Sequence, residues 1–512
     1  MKKKESILVY KHKSIIRFEG TKFLNEVGID GRIFKALTYS HISVGVISQQ
    51  AIENGLSILV SATDAEKAVE CLNKEFKEER TSGKVKMIYS IDNVSVIGFV
   101  TRDYQRIAQE LARNAIFPLI LSQNTSEYRV SIVVASSQTE IAKSIIESEI
   151  YGKPKTVHLA IFGHGNVGGT LIDQVLSSRK EIRRRKNVDM KIVGVANSKK
   201  LLFDKEGIGE DWRERIEKSE EPSDVTLLVS NAKESHIENL IAVDNTGSTD
   251  FVTSYGLLVE NGFDLVSSNK IFNTLSIDKY RELRRQLVKN TKRYLYETNV
   301  GAGLPLIDTI HLLHHSGENI TKIKGVFSGS LSYIFNRFSK STDAFSKIVQ
   351  EAMEKGYTEP DPREDLSGLD VARKLLILAR ELDLENELSD VQLDNLIPSE
   401  LQNLTNEEFL DKLSNLDEVF EQRRKKLSPG KVLRYVGELS GDLQREKGSL
   451  KVELAEVSEN SPLGQLKGSD SVFEIFTDSY GDNPIVIMGA GAGAKVTARG
   501  VFGDILRISD SK

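Results

Sequence analysis

Residues 156–176 read TVHLAIFGHGNVGGTLIDQVL, and this stretch decides the architecture expected of the chain around it. An apolar run over residues 157–162 predicts a short buried strand, and apolar residues at helical spacing begin at Val167. Between them Gly163, Gly165 and Gly168 form the pattern G-x-G-x-x-G. The first glycine permits a tight turn, the second lets the backbone approach a pyrophosphate, and the third lets the helix pack against the strand. In this context the pattern indicates dinucleotide binding, and an ordinary glycine-rich turn is the alternative.

The composition is that of a globular protein. The 512 residues are 39% hydrophobic and 28% charged, and a chain of this length predicts about two to four domains. The net charge of −5 argues against nucleic acid as a partner. A single cysteine, Cys71, excludes an intramolecular disulfide within this sequence, and we expect a cytoplasmic protein. No apolar run reaches the roughly 18 residues of a membrane helix, so no membrane partner is expected.

The first 150 residues contain a weak internal repeat. Residues 41–61 and 115–136 each predict a strand, a polar turn and a second strand, with helical stretches before and after. Such βαββαβ units place helices on one face of an antiparallel sheet. Through its VISQQ (residues 46–50) and LSQN (residues 121–124) turns, this portion resembles the tandem ACT regulatory domains of aspartate kinases.

That resemblance implies a regulatory role. Gln49 and Gln123 are the implied contacts of an amino-acid effector, and polar turns that cap a dimerising sheet are the alternative. It also implies a homo-oligomer assembled through the ACT sheets. The kinase catalytic domain is absent from this sequence, so kinase activity is not expected, and a separate aspartate kinase is a candidate partner.

The strand that follows the glycine turn bears on the choice of nucleotide. Residues 191–196 predict a second strand, which ends in Ala196, Asn197 and Ser198 before Lys199 and Lys200. An Asp or Glu at this point usually binds the ribose 2′-hydroxyl of NAD. The absence of an acid and the two lysines favour NADP(H), with NAD(H) as the second choice; lysines that only solvate a loop are the alternative.

Two further strands, at residues 241–244 and 263–267, run into polar loops that carry Thr246, Ser268 and Lys270. Loops at the carboxyl ends of strands in a doubly wound sheet face the ligand. Lys270 can therefore donate to a substrate oxygen that gains negative charge, although a lysine after a strand is more often simply exposed.

Residues 296–305, YETNVGAGLP, are too glycine-rich for a regular element and too apolar for a flexible linker. They offer one carboxylate and several backbone carbonyls, which is a ligand set that a hard cation accepts. A tight turn is the alternative.

The densest cluster of chemically useful residues lies at 356–374. Pro360 and Pro362 predict an extended loop that holds Glu359, and a helix begins near residues 367–368. On that helix Asp370 and Lys374 are four positions apart and share one face. The alternative is a surface ion pair, but the apolar run that follows predicts a largely buried helix whose Asp–Lys pair faces a cleft.

From residue 157 to about 507 the sequence resembles homoserine dehydrogenase, in the form fused to aspartate kinase. The resemblance lies in GHGNVGG, VANSK, NVGAGLP, SGSLSYIF (328–335), GYTEPDPREDLSGLDVARKLLILAR (356–380), GKVLRYVG (430–437) and GAGAGAKVTARGVFGDILR (489–507). It implies Lys374 as proton donor and Lys270 as a lysine shared by cofactor and substrate. The other implied residues are cofactor contacts at Gly163, Gly165, Asn166, Val167, Gly168, Ala196, Asn197, Ser198, Thr246, Ser268 and Gly493, substrate contacts at Gly356, Glu359, Asp365 and Asp370, and a sodium-type site at Glu297, Val300, Ala302 and Leu304.

The predicted fold is α/β, with three parts: tandem ACT-like domains (residues 1–150), a Rossmann domain (155–305, completed by 485–512), and an α+β catalytic and dimerisation domain (306–484). We expect an NADP-preferring homoserine dehydrogenase that acts on a small-molecule substrate, L-aspartate 4-semialdehyde or L-homoserine, in threonine and methionine synthesis. The family's T-P-N-K-K reads SSNKI at residues 267–271, which keeps the key lysine but loses the next one. A catalytically silent regulatory subunit and another semialdehyde or hydroxy-acid dehydrogenase are the rival predictions.

Overall fold

The computed structural model describes residues 7–20, 27–50 and 55–510, which form two compact units. The first unit contains the residues up to Thr156 together with 183–189 and 230–239. The elements of its N-terminal part are β1 (Leu8–Gly20), α1 (Ile29–Tyr39), β2 (Ile47–Gln50), β3 (Gly55–Ser61), α2 (Ala65–Glu75), α3 (Lys77–Thr81), β4 (Val85–Val100), α4 (Tyr104–Arg113), β5 (Ile120–Asn124), β6 (Arg129–Ala135) and α5 (Thr139–Tyr151).

These strands form one antiparallel sheet in the order β2-β3-β1-β4-β6-β5. The predicted repeat is present, but its two copies share their central strands. The later part of β1 pairs with β3, whereas its beginning pairs with the end of β4, as in Leu8 opposite Gly98. Each of these long strands therefore serves both βαββαβ units, which makes them one continuous sheet rather than two consecutive ones.

Apolar side chains are buried on both faces of this sheet. Helices α1 and α2 pack with Ile16 and Phe18, and a second cluster joins Ile97 with residues of α4 and α5. On the opposite face Ile15 and Val133 belong to a separate buried cluster. The outer strands β2 and β5 contact each other, so the sheet curls around the cluster that contains Ile15 and Val133.

The nucleotide-binding part carries the predicted doubly wound sheet. Its order is β12-β11-β10-β7-β8-β9, in which β7, β10, β11 and β12 are parallel and β9 forms an antiparallel edge. The elements are β7 (Lys155–Phe162), α6 (Asn166–Lys186), β8 (Val188–Ala196), β9 (Leu201–Phe203), α7 (Trp212–Lys218), α8 (Val225–Glu234), β10 (Leu240–Asp244), α9 (Tyr255–Glu260), β11 (Phe263–Ser267), α10 (Ile277–Lys289) and β12 (Tyr294–Leu295).

The remaining residues build a mixed sheet with helices. The elements are α11 (Leu306–His315), β13 (Ile320–Val326), α12 (Gly329–Phe338), α13 (Phe345–Glu354), α14 (Pro362–Leu366), α15 (Leu369–Glu381), β14 (Val391–Leu393), α16 (Ser399–Gln402), α17 (Asn406–Asp411), α18 (Leu416–Lys425), β15 (Lys431–Ser440), β16 (Ser449–Ser458), β17 (Asp470–Thr477), β18 (Ile485–Ala490) and α19 (Ala494–Ser509). The strand order is β14-β16-β15-β13-β17-β18.

Two local features differ from the sequence-based expectation. Pro362 does not extend the chain but opens α14, where Asp361 accepts a hydrogen bond from the Arg363 amide; proline is well suited to the first helical turn because its missing N–H would have no partner there. The C-terminal segment is divided: β18 pairs with β17, and only α19 packs against β11 of the doubly wound sheet.

Within the described ranges, no helix has both the length and the apolar character needed to cross a membrane.

Candidate functional site

The glycine turn has the shape that a dinucleotide requires. Gly163 adopts a φ of +81°, and its amide donates to the Ala196 carbonyl at 2.8 Å, which ties the ends of β7 and β8 together. A Cβ on Gly168 would lie 1.8 Å from the Gly163 carbonyl oxygen, so only glycine fits. A Cβ on Gly165 would meet nothing within 4 Å. This open space at the start of α6 fits a pyrophosphate bound at the helix N-terminus.

The loops after β10 and β11 are held by a buried carboxylate. Asp244 accepts hydrogen bonds from the Tyr255 hydroxyl at 2.8 Å and from the Asn269 side-chain amide at 3.1 Å. It also accepts from the Thr246 amide at 2.8 Å. Burial raises the pKa of Asp244 even though these donors oppose the shift. The network fixes the backbone on both sides of Lys270, a role that the sequence reasoning missed; a lone Asp that ends an apolar strand was the available signal.

The structure brings Lys270, Asp370 and Lys374 together. The Lys374 ammonium lies 2.7 Å from one Asp370 oxygen, and the Lys270 ammonium lies 3.6 Å from the other. Lys374 also donates to the Phe327 carbonyl at 2.8 Å. The side chains are 12% exposed for Lys374, 32% for Lys270 and 45% for Asp370. Desolvation alone would raise the pKa of Asp370, but the two ammonium groups reverse this and hold it well below its usual range.

The start of α15 explains why Asp370 and Lys374 point to one place. Gly368 precedes the helix with a φ of +74°, and a Cβ there would lie 2.0 Å from the Tyr435 hydroxyl oxygen. The helix can therefore begin close to the sheet. Val371, Ala372 and Leu375 are buried, whereas Asp370 and Lys374, four residues apart, are only partly buried, so the pair lies on the accessible side of the helix.

Asp365 holds the loop that carries Glu359 through two hydrogen bonds. One of its oxygens accepts from the Ser330 hydroxyl at 2.6 Å and the other from the Glu359 amide at 2.8 Å. Burial raises the pKa of Asp365. Partial desolvation by the surrounding groups, followed by the neighbouring carboxylates of Asp365, Glu364 and Asp370, raises the pKa of Glu359, although this residue still reaches solvent. Gly356, with a φ of +69°, ends α13 ahead of this loop.

A cavity of about 680 Å³ lies beside these groups. Its lining includes Lys270, Glu359, Asp370 and Arg373. Within the described part of the chain, the side chain of Arg373 makes no hydrogen bond or ion pair. The sequence reasoning overlooked this arginine, although its position beside Lys374 on the same helix was visible. The cavity lining thus offers the Lys270 ammonium, arginine guanidinium groups and several carboxylates, and Lys374 lies beside it through its ion pair with Asp370. This set suits a small zwitterion with a reactive oxygen.

The predicted cation segment is a buried turn. The Glu297 carboxylate accepts from the Ile307 and Asp308 amides, at 2.8 and 2.9 Å, at the start of α11. Burial raises the pKa of Glu297 to about 9. Val300 is fully buried, and Ala302 adopts a φ of +54°. Over residues 7–20, 27–50 and 55–510, no group of three His, Cys, Asp or Glu side chains is arranged for a metal ion. The expected ligands here, with Leu304 as the last, remain a prediction.

The other predicted residues are placed as follows. Gly493 immediately precedes α19, and Gln174 of α6 donates to the Lys495 carbonyl at 3.1 Å, which ties the two helices near the glycine turn. Gln49 on β2 and Gln123 on β5 are exposed, on the two outer strands that contact each other.

Three family models match the chain. The model for the NAD-binding domain of homoserine dehydrogenase matches residues 163–297, the homoserine dehydrogenase model matches 305–506, and an ACT domain model matches 16–76. The ACT match covers the first copy of the repeat.

Similar proteins agree with these matches. Homoserine dehydrogenase of Saccharomyces cerevisiae is 38% identical over 367 residues, which cover 69% of this chain and 98% of that protein. The bifunctional aspartokinase/homoserine dehydrogenase of Haemophilus influenzae is 37% identical over 491 residues; these cover 94% of this chain but 59% of that protein. Among solved structures, a protein of unknown function from Candida auris is 35% identical with a TM-score of 0.63, covering 70% of this chain and 99% of that one.

Proposed function

The chain belongs to the homoserine dehydrogenase family of NAD(P)-dependent oxidoreductases, and from this membership we propose that it interconverts L-aspartate 4-semialdehyde and L-homoserine, with NADP(H) as the preferred cofactor. The observation that carries the proposal is the cluster of Lys270, Asp370 and Lys374 at a polar cavity. The reaction would serve threonine and methionine synthesis.

Lys374 is the proposed proton donor. When bound, the nicotinamide nucleotide supplies or accepts the hydride. The Lys374 ammonium is largely shielded, and the Phe327 carbonyl and Asp370 fix its direction. It can donate a proton to the aldehyde oxygen as negative charge develops there, and in the reverse direction the amine accepts the proton of the alcohol. Lys270, on the other side of Asp370, stabilises the same oxygen.

The carboxylates bind the substrate ammonium in this proposal. Asp370 stays ionised because the two lysines lower its pKa, so it remains an anion when substrate enters. Glu359 provides the second carboxylate, and Asp365 holds its loop through the Glu359 amide. We therefore assign Asp365 a positioning role rather than a direct contact.

Arg373 is the proposed contact of the substrate carboxylate. It lines the cavity on the same helix as Asp370, and its guanidinium has the planar fork that pairs with a carboxylate. Arg373→Gln should raise KM for L-aspartate 4-semialdehyde and leave KM for NADPH unchanged.

The remaining proposals concern organisation and control. Residues 1–150 would form the regulatory part and 155–305 with α19 the nucleotide part, and 306–484 would carry catalysis and dimerisation. We propose a sodium-type ion at the carbonyls of residues 297–304, an amino-acid effector at Gln49 and Gln123, a homo-oligomer, and a separate aspartate kinase as a partner. Threonine that changes neither the rate nor the melting temperature would remove the effector proposal.

A substrate panel tests the proposed function. The purified protein should oxidise NADPH with L-aspartate 4-semialdehyde, and homoserine should be the product by mass spectrometry. Succinic semialdehyde, which lacks the amino group, should be a far poorer substrate because the carboxylates would have no ammonium to bind. Equal turnover of the two aldehydes would argue for a different semialdehyde dehydrogenase.

A further inference from the structure

We infer that His164, oriented by Asn197, recognises the 2′-phosphate of the adenine ribose and so sets the preference for NADP(H). The inference rests on the proposed function and concerns the same nucleotide site. His164 is the second residue of the glycine turn, and Asn197 follows directly after the last residue of β8.

The orientation of the Asn197 side chain follows from its hydrogen bonds. Its amide oxygen accepts from the backbone amides of Lys199 and Lys200, each at 2.8 Å. The oxygen therefore points into the turn, and the nitrogen of the same group faces His164, with its Nδ2 3.0 Å from the ring Nε2. Because Nδ2 can only donate, Nε2 must accept. The neutral imidazole then carries its proton on Nδ1.

The ring of His164 is held in place on a second side. It packs edge-on against the indole of Trp212, with ring centroids 5.6 Å apart, and Trp212 is itself buried. The Trp212 Nε1–H donates to Asp173 of α6 at 3.1 Å. His164 itself is partly exposed, so its ring is accessible to a ligand, while the contacts with Trp212 and Asn197 restrict its rotation.

This arrangement puts hydrogen-bond donors where a carboxylate would be expected. In doubly wound folds an Asp or Glu at the end of the second strand accepts from the ribose 2′-hydroxyl. Here Asn197 occupies that place with its oxygen already engaged by two amides, and His164 adds the Nδ1–H donor. A 2′-phosphate is an acceptor and an anion, and it matches donors; a 2′-hydroxyl finds no acceptor for its proton.

Two cationic side chains near this turn already have partners, and a third is an alternative contact for the 2′-phosphate. The Lys200 ammonium donates to the Glu217 carbonyl. The Arg213 guanidinium binds both oxygens of Asp173, at 3.0 and 2.6 Å. The Lys199 ammonium has no hydrogen-bond partner within the described ranges, so it is the alternative source of 2′-phosphate recognition.

Binding of nucleotide fragments tests the inference without any turnover. Adenosine 2′,5′-bisphosphate and 5′-AMP differ by the 2′-phosphate, and calorimetry on the full chain gives the affinity of each. Trp212, the single tryptophan of the sequence, gives a second signal by fluorescence. We expect wild type to prefer the bisphosphate, and His164→Leu to lose about tenfold or more of that affinity with 5′-AMP binding unchanged. Lys199→Ala is the matched control and should lose less.

Asn197→Asp provides an independent variant. Its carboxylate still accepts from the two backbone amides, but it also accepts from His164 and repels a 2′-phosphate, so the preference should reverse toward 5′-AMP. If His164→Leu does not fold, His164→Phe replaces it, because this variant keeps a ring against Trp212 and removes the Nδ1–H donor. Discrimination that survives His164→Leu but disappears in Lys199→Ala would overturn the inference while the preference for NADP(H) stands. A wild type that binds both fragments equally would overturn the inference and the proposed cofactor preference together.

Discussion

Replacing Lys374 with methionine removes the ammonium group that pairs with Asp370 beside the polar cavity and keeps most of the side chain's volume. The lost contacts are the hydrogen bond to the Phe327 carbonyl at 2.8 Å and the ion pair with Asp370 at 2.7 Å. Phe327 is fully buried, so its carbonyl loses a charged donor in an environment with little water. We expect a loss of about 1–3 kcal/mol in the free energy of unfolding.

The effect on catalysis should exceed the effect on stability. A positioned general acid contributes about a hundredfold to ten-thousandfold in rate. Lys270 remains beside Asp370, at 3.6 Å, and can partly replace the lost donor. We therefore expect kcat to fall by about tenfold to a hundredfold, at or below the lower end of that range, while the Kd of NADPH stays unchanged.

The assay compares Lys374→Met with a matched control, Lys355→Met. Lys355 forms an ion pair with Glu351, four positions earlier, at 2.6 Å, but it lies at the C-terminal end of α13 and its side chain is 50% exposed. This control should keep the wild-type kcat and lose less stability than Lys374→Met, because exposed ion pairs are screened by solvent. An unchanged kcat in Lys374→Met would refute its role as proton donor. A rise in the Kd of NADPH as large as the fall in kcat would instead make it a cofactor contact.

Three further predictions address the turn, the loop and the ionised carboxylate. Gly168→Ala, whose Cβ would clash with backbone, should lower the unfolding free energy by about 3 kcal/mol, whereas Gly165→Ala should keep the melting temperature and weaken nucleotide binding; equal stability of the two would contradict the geometry. Asp365→Ala removes the acceptors of both the Ser330 hydroxyl and the Glu359 amide and should raise KM for the aldehyde by about threefold to tenfold with a smaller change in kcat; a normal KM would exclude its positioning role. Asp370→Asn should raise KM and lower kcat. Because the folded-state pKa of Asp370 is depressed, its contribution to stability, at most about 1 kcal/mol, is present above about pH 4 and is lost only as the pH falls through that lower pKa. A difference in stability between the variant and wild type that already disappears between neutral pH and about pH 5 would contradict the depressed pKa.

The parts of the fold that depend on neighbouring residues were predictable from the sequence. The strand, glycine turn and helix around Gly163 and Gly168 occur where the pattern places them, because tight turns and helix packing constrain a few adjacent positions. Asp370 and Lys374 share a face for the same local reason. The sharing of β1 and β4 between the two repeat copies was not predictable, since it depends on Leu8 pairing with Gly98 across most of the repeat.

Contacts between distant positions account for what the sequence could not supply at the site. Lys374 meets the Phe327 carbonyl 47 residues away, and Ser330 meets Asp365 across 35 residues. No spacing rule identifies such partners. The link from Asn197 to His164, 33 residues apart, is of the same kind. The motif predicted a nucleotide at this turn, but the orientation of the Asn197 amide follows only from the hydrogen-bond network.

The most direct test of the central proposal is the rate of NADPH oxidation by the purified chain with L-aspartate 4-semialdehyde, measured with Lys374→Met in parallel. We predict rapid turnover by wild type, homoserine as product, and a much slower variant. No oxidation with either NADPH or NADH by a folded, nucleotide-binding wild-type chain would contradict the account and would favour a catalytically silent regulatory protein.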